Sequence, residues 1–414
     1  MPSSSSPASR APLASGAATP WRLPAGAAFA LLAAVLFTFF LAAAAPSPLF
    51  VLFQQRWGFS SALLTVAFAV YALALLASLL VGGSLSDHVG RRPVIVVALV
   101  LQAAAMVMFL MARSIGGIVA ARIVQGLATG VASGTLSAAV VEAAPSARKR
   151  LGMLITSVSP LAGLAVGALL TGLTVSMTRD PVPLVFGVLA LLLALAAVAA
   201  FFLPESVTPR PGAWASLVPR MAVPRAARAV FVRSLPVLVT SWALGGLFLS
   251  LVPSLLRQVF GIDSGVVNGL AIAVLFGMGA ASPTLMSRFG ARVSLLGMLC
   301  IAAGAALLIG AFAIASVALF FVGTVVAGLG FGSSFSSQVQ ALAPLAQPHE
   351  RAELFAAIFF VSYLAFSVPA MGAGLLIATL GLRTAVEGYA AVLIAMALLG
   401  AWTQWRAPRP VAVA

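Results

Sequence analysis

Apolar runs of eighteen or more residues recur along this chain from Ala27 to Trp405, each long enough to cross a hydrocarbon layer as a helix. No other feature limits the fold as strongly. Inside a bilayer every backbone N–H and C=O needs a partner within the protein, so a spanning segment is either a helix or a strand of a closed barrel. The runs are continuous rather than alternating, which argues against the barrel. Composition agrees: 62% of the 414 residues are hydrophobic and only 7% are charged, too few charges for the surface of a water-soluble domain. The chain reads as an all-α polytopic membrane protein.

Spacing predicts about twelve spans. Six fall at 28–50, 60–82, 94–113, 116–141, 151–177 and 183–203, and six at 234–257, 265–286, 294–313, 315–342, 354–378 and 384–404. The expected organisation is a disordered N-terminal stretch over 1–26, a six-helix bundle over 27–203, a linker over 204–233, a second bundle over 234–405 and a tail over 406–414. Leu41 to Ala45 resembles a signal-peptide cleavage region, but the apolar stretch runs on to Phe53 and is too long for one. A short helix is expected near Arg225–Val232. The halves echo each other: Leu85, Gly90 and Arg92 recur as Leu285, Gly290 and Arg292, each set between the second and third span of its half. That pattern suggests an internal duplication.

Charge placement sets the orientation. With the N-terminus inside, seventeen of the 23 Lys and Arg residues fall in inner loops and tails, five fall outside, and Arg122 lies within a span. The bias puts both termini in the cytoplasm, with Trp21, Trp402 and Trp405 at the interfaces. The net charge of +15 is spread over short loops, so it reads as a topology signal and not as a nucleic-acid groove. Alanine and arginine with little lysine suggest a bacterial protein of the inner membrane.

The most pointed motif is Gly83-x-Leu85-x-Asp87-x-x-Gly90-Arg91-Arg92, a charged turn between two apolar runs. Gly83 would let two helices approach closely, Gly90 would permit a tight turn, and Asp87 could pair with Arg91. The fourth span carries Arg122-x-x-Gln125-Gly126-x-x-x-Gly130. Arg122, Gln125 and Thr129 share one helical face, and Gly126 and Gly130 form a small-x-x-x-small ridge beside it. A buried arginine is costly unless paired or hydrated, so Arg122 is expected to face a wet cavity, with snorkelling to the outer interface as the alternative. The fifth span has Ser159-Pro160-x-x-Gly163-x-x-x-Gly167, a kink followed by small residues suited to packing.

Together these motifs resemble those of the major facilitator superfamily, over nearly the whole chain after Ala27. The resemblance implies two pseudo-symmetric six-helix bundles around a central cavity and a monomeric secondary transporter. In that family the loop motif latches the halves on the cytoplasmic side, and an acidic residue in the position of Glu142 joins Asp87 and Arg91. Pro204-Glu205-Ser206 resembles the short motif closing the sixth span, although solvated charge is the default reading for it and for Glu142. The matching arginine of related antiporters, here Arg122, is implicated in proton coupling or substrate binding. Pro160, Gly163 and Gly167 partly match an exporter pattern, with Ser159 and Leu164 in place of two glycines. Spans one, four, seven and ten of the family face the cavity, which nominates Thr38, Ser241, Trp242 and Ser337, with Tyr363 from the eleventh.

The implied activity is proton-driven efflux of a small organic molecule, with uptake of a sugar-like or organic-acid metabolite by symport as the alternative. The expected partners are that substrate, protons and the lipid bilayer. No cofactor is expected; the proton gradient would be the driving force. None of the eight acidic residues falls mid-span, and Phe29 to Phe50 has only Thr38 and Ser47 as polar side chains. A cationic-drug specialist is therefore disfavoured against neutral or anionic cargo. Asp87 and Glu142 are the nearest proton sites, then Glu387.

Other function classes find little support. No span contains His or Lys to serve an intramembrane serine nucleophile, and none holds the aspartate pair of an aspartyl protease. Cys300 stands alone, His88 and His349 fall in loops, and no span clusters metal ligands. A channel lacks a filter element. A receptor on the same fold would usually carry a large extra domain, which a linker of about 30 residues cannot hold.

Overall fold

The computed structural model describes residues 22–218, 221–347 and 350–406. The predicted disordered stretch up to residue 21 and the tail from 407 lie outside the described residues, as do Trp21 and His349. The first half consists of α1 (Ala25–Ala44), α2 (Pro46–Trp57), α3 (Ser61–Gly82), α4 (Ser86–Val89), α5 (Arg91–Met111), α6 (Ile115–Ala143), α7 (Lys149–Met177) and α8 (Pro181–Ala200). The second consists of α9 (Arg228–Ser250), α10 (Val252–Phe260), α11 (Gly265–Leu285), α12 (Val293–Ala313), α13 (Val317–Leu342), α14 (Arg351–Leu380) and α15 (Leu382–Trp405). Among the described residues twelve segments are long and apolar enough to span a membrane.

Two boundaries differ from the sequence expectation for one reason. The first and seventh spans do not end near 50 and 257; each continues as a short helix past a break, to Trp57 and to Phe260. Pro46 and Pro48 sit at the first break and Pro253 at the second, where a missing N–H ends the regular ladder. The helix expected near Arg225 is a 3₁₀ turn, Arg225–Ala227, that leads directly into α9, so Arg228 to Arg233 belong to the seventh span and not to the linker.

The duplication is written in the turns. α2 ends at Gly58 (φ 64°) and α10 at Gly261 (φ 67°), left-handed conformations that favour glycine. Ser60 and Ser264 then cap α3 and α11 in the same way, each accepting the N–H three residues on. Ser114 and Ser316 do so for α6 and α13. Gly126 and Gly130 of α6 lie against α3, where added Cβ atoms would strike the Tyr71 and Leu75 carbonyls. Gly328 and Gly332, 202 positions on, lie likewise against α11, at the Leu275 and Gly279 carbonyls.

The halves meet most closely at one end. On the face opposite the linker, Gly172 of α7 and Gly265 of α11 pack so tightly that a Cβ on either would strike the other's carbonyl. Gly269 abuts Ala168, the Ser176 hydroxyl accepts the Val266 N–H at 3.1 Å, and Gln55 donates to Asp263 at 3.2 Å. Deeper in, Phe68 of α3 and Phe366 of α14 meet at 4.9 Å between ring centroids. On the linker face no hydrogen bond or ion pair joins the two bundles among the described residues, and Leu151, Met153, Leu154 and Leu285 are exposed there. The backbone and polar contacts that join the halves therefore lie toward the far end.

Candidate functional site

Three groups of side chains build the site, starting from the break between α1 and α2. Pro46 has no N–H to offer the Ala42 carbonyl one turn back, so a mid-membrane acceptor is freed. Gln125 donates to that carbonyl at 2.9 Å, and Arg122 Nη1 donates to the neighbouring Ala43 carbonyl at 3.0 Å and to Gln125 Oε1 at 2.8 Å. Thr129 donates to the Gln125 backbone carbonyl at 2.8 Å. Of the predicted face, Arg122 and Gln125 therefore bind the broken first span, while Thr129 bonds within its own helix.

The expectation that Arg122 lines a wet cavity is corrected here. Arg122 is 1% exposed, so it neither lines an open cavity nor snorkels to the interface. Its guanidinium carbon stands 5.1 Å from the Phe50 ring centroid, 5.3 Å from Tyr71 and 5.9 Å from Phe109. Ring faces attract a cation in a dry setting, and the broken helix supplies the carbonyls. Neither signal is visible without knowing that α1 and α6 touch.

In the second half the corresponding depth is aromatic. Trp242 of α9 is ringed edge-on by Phe335, Phe359, Tyr363 and Phe366, with centroids 4.8–6.4 Å away. Of the other nominated residues, Ser241 is buried with an unpartnered hydroxyl, while Thr38 and Ser337 return their hydroxyls to the Ala34 and Ser334 carbonyls. The structure thus gathers Trp242 and Tyr363 into one cluster and leaves Thr38 apart on α1. Gly163 and Gly167 of α7 press on the Phe37 and Leu41 carbonyls of α1, and Pro160 lies inside α7 without ending it.

The third group is the charged turn on the linker face. Gly90 adopts φ 106°, open to glycine. Arg91 pairs with Asp87 at 2.6 Å and with Glu142 at 3.1 Å. Ser206 donates to the other Glu142 oxygen at 2.6 Å. Glu205 is no solvated loop charge: its two oxygens accept the Arg91 and Arg92 N–H groups at 2.8 and 3.0 Å and so cap α5. A Cβ on Gly90 would run into that carboxylate. The Arg92 side chain reaches the Phe201 carbonyl at 3.5 Å. Gly83 does not seat a second helix; an added Cβ there would meet only the Leu79 carbonyl of its own preceding turn. Every partner of the cluster among the described residues belongs to the first bundle or the linker, so in this conformation it does not latch one bundle to the other. The role of Glu205 was the main residue assignment missed from sequence, since nothing in one dimension places the end of α8 beside the start of α5.

Comparison with known proteins agrees with this architecture. The sequence profile of the Major Facilitator Superfamily matches residues 31–368. A curated relative, multidrug resistance protein MdtL of Klebsiella pneumoniae (strain 342), is 25% identical over 313 residues, covering 70% of this chain and 74% of its own. The inward-facing, unoccupied crystal structure of a bacterial homologue of the human lysosomal transporter Spinster superposes with a TM-score of 0.75 at 14% identity, over 92% of this chain and 97% of that one. A POT family transporter in complex with 5-aminolevulinic acid gives 0.71 at 14% identity, over 90% and 94%.

Proposed function

The chain belongs to the major facilitator superfamily and is a multi-pass membrane transporter, not an enzyme; from this premise we propose that it expels a small organic molecule across a bacterial inner membrane in exchange for protons. The observation that carries the reading is the one-sided closure. Two bundles of like build are joined at the far end by Gly172, Gly265 and Gly269, and among the described residues no hydrogen bond or ion pair joins them at the linker end. Rocking about that contact would close the linker end and open the other, exposing a midplane site alternately to each side.

The positive-inside bias supports a cytoplasmic linker face with both termini on it, so the conformation here would be the one that loads cargo from the cytoplasm. The printed name of the Klebsiella relative supports efflux. The proton carriers in this reading are Asp87 and Glu142, the acidic members of the charged turn. Both pair with Arg91, so protonating Glu142 would loosen the turn from α6 and protonating Asp87 would loosen the turn itself. Small molecules and protons are the partners, no cofactor is invoked, and one chain is the working unit.

Flux in proteoliposomes tests the proposal. With the pH inside and outside clamped apart, the protein should accumulate cargo against its gradient, and an ionophore that collapses the pH difference should reduce accumulation to equilibration. Uphill movement that survives the collapse would refute proton exchange. Accumulation in the same direction as proton entry would convert the reading to symport.

A further inference from the structure

Arg122 carries a full charge deep in the first bundle and makes no ion pair among the described residues. One of its nitrogens is satisfied by Ala43 and Gln125; Nε and Nη2 are buried without any acceptor. The surrounding rings attract the charge but leave those N–H groups unpartnered. A third orphan lies on the helix that Arg122 binds. Ser47 is 0% exposed and its hydroxyl has no partner. Ala43, Ser47 and Phe50 fall at i, i+4 and i+7 on one face of the α1–α2 segment. Arg122 bonds the Ala43 carbonyl and faces the Phe50 ring, so the helical period puts Ser47 on the same face that Arg122 meets.

The second bundle shows what such a serine does when no arginine is present. Ser250 matches Ser47 at the spacing that relates Gly58 to Gly261, and it donates to the Gly246 carbonyl at 2.7 Å. Gly246 corresponds to Ala43, whose carbonyl Arg122 has taken. Thr324 occupies the position of Arg122 and bonds within its own helix. The arginine thus displaces a serine from its ordinary partner and leaves three donors, two of them on a charged guanidinium, with nothing negative to bind among the described residues.

We infer that Arg122 and Ser47 form a buried site for a monoanionic group, a halide or a carboxylate. Either would neutralise the guanidinium and accept from Nε, Nη2 and the serine hydroxyl together. A strongly hydrated divalent anion would not, since the three aromatic walls offer nothing to replace its water. Tyr71 forms one of those walls, and its helix α3 is also the one whose Phe68 meets α14 across the halves, so the site lies one ring away from the space between the bundles. A free ion would be a resident counter-ion. A carboxylate would belong to the cargo, and that source rests on the carrier reading above; the site itself does not.

The test is thermal unfolding of the full chain in lipid nanodiscs, titrated with sodium bromide, sodium benzoate or sodium sulfate at matched ionic strength. Bromide or benzoate should raise the midpoint saturably by about 2–5 °C above the sulfate series. Saturation by bromide alone identifies a free ion, and by benzoate alone a cargo carboxylate. Arg122→Gln should abolish the response. Ser47→Ala should shift its midpoint concentration about fivefold upward, while Ser250→Ala should leave it unchanged. The proposal fails if neither anion exceeds sulfate, if Arg122→Gln responds like the parent, or if both serine variants behave alike. Should Arg122→Gln not fold, an anomalous bromide peak beside the guanidinium in crystals of the unaltered protein decides: its presence supports the site and its absence overturns it. An anion response without flux would sink the carrier reading and spare the site, whereas flux without an anion response would do the reverse.

Discussion

The two bundles are one design executed twice with different interiors. Both break their first helix at proline, turn at a left-handed glycine, cap with serine and cross their second and fourth spans on paired glycines. At midmembrane they part. The first bundle holds Arg122 and Gln125 against the carbonyls of a broken helix, where the second has Thr324 and Ala327. On the linker face the first bundle's turn is a charge network around Arg91, while the equivalent turn, Ser287–Arg292, has only Arg288 and Arg292, with Arg288 resting over Phe289. The difference shows that backbone packing is what duplication preserves, because small residues at a close crossing have no alternative. Side chains away from those crossings are free to diverge, and there one bundle has become polar and the other aromatic.

The comparison is broken most severely by moving the charge. Thr324→Arg would place a guanidinium at the matching depth of the second bundle, where no glutamine waits and Ser250 already occupies the matching carbonyl. We expect a loss of about 3 kcal/mol or more, read as a lowered thermal midpoint and loss of monodisperse protein in detergent. If the variant is as stable as the parent, the second bundle can host an arginine and the divergence is incidental.

A smaller effect sharpens the shared part. Gly130→Val and Gly332→Val should each cost about 2–3 kcal/mol, because the added carbons meet the carbonyls of Leu75 and Gly279 on a rigid neighbour. Near-equal losses in thermal unfolding support an equivalent crossing in each bundle; a harmless change at one position would show that the ridge holds only the other.

The smallest expected change concerns the charged turn. Glu205→Gln keeps one acceptor for α5 but removes the negative charge from its N-terminus, so about 1 kcal/mol should be lost. Hydrogen exchange at the Arg91 and Arg92 amides should quicken, with the α12 amides of the second bundle unaffected. Unchanged protection at Arg91 would mean the cap is ornamental.

Much of this was legible from residue order. Span number, the charged turn, the Gly126–Gly130 ridge and the shared face of Arg122, Gln125 and Thr129 follow from hydropathy and helical period, which are local properties of a chain. The turn of Gly90 was legible for the same reason, since its neighbours do not matter to its dihedral freedom. The burial of Arg122 is not legible in this way because burial is not local: the Ala43 carbonyl it binds lies 79 positions away, beside a helix break inside an apolar run. Glu205 was undervalued likewise, being 114 positions from the amide it caps.

Sequence by itself determined that this chain enters a membrane as helices, in two related sets, with an orientation set by its arginines. Backbone hydrogen bonding in hydrocarbon allows little else. Only the tertiary structure decided where the two halves pack most closely, which carbonyls Arg122 and Gln125 satisfy, and that Asp87, Glu142 and Glu205 all converge on Arg91. Those outcomes depend on which helices touch, and contact between distant segments is settled by the packing of small residues across the whole assembly.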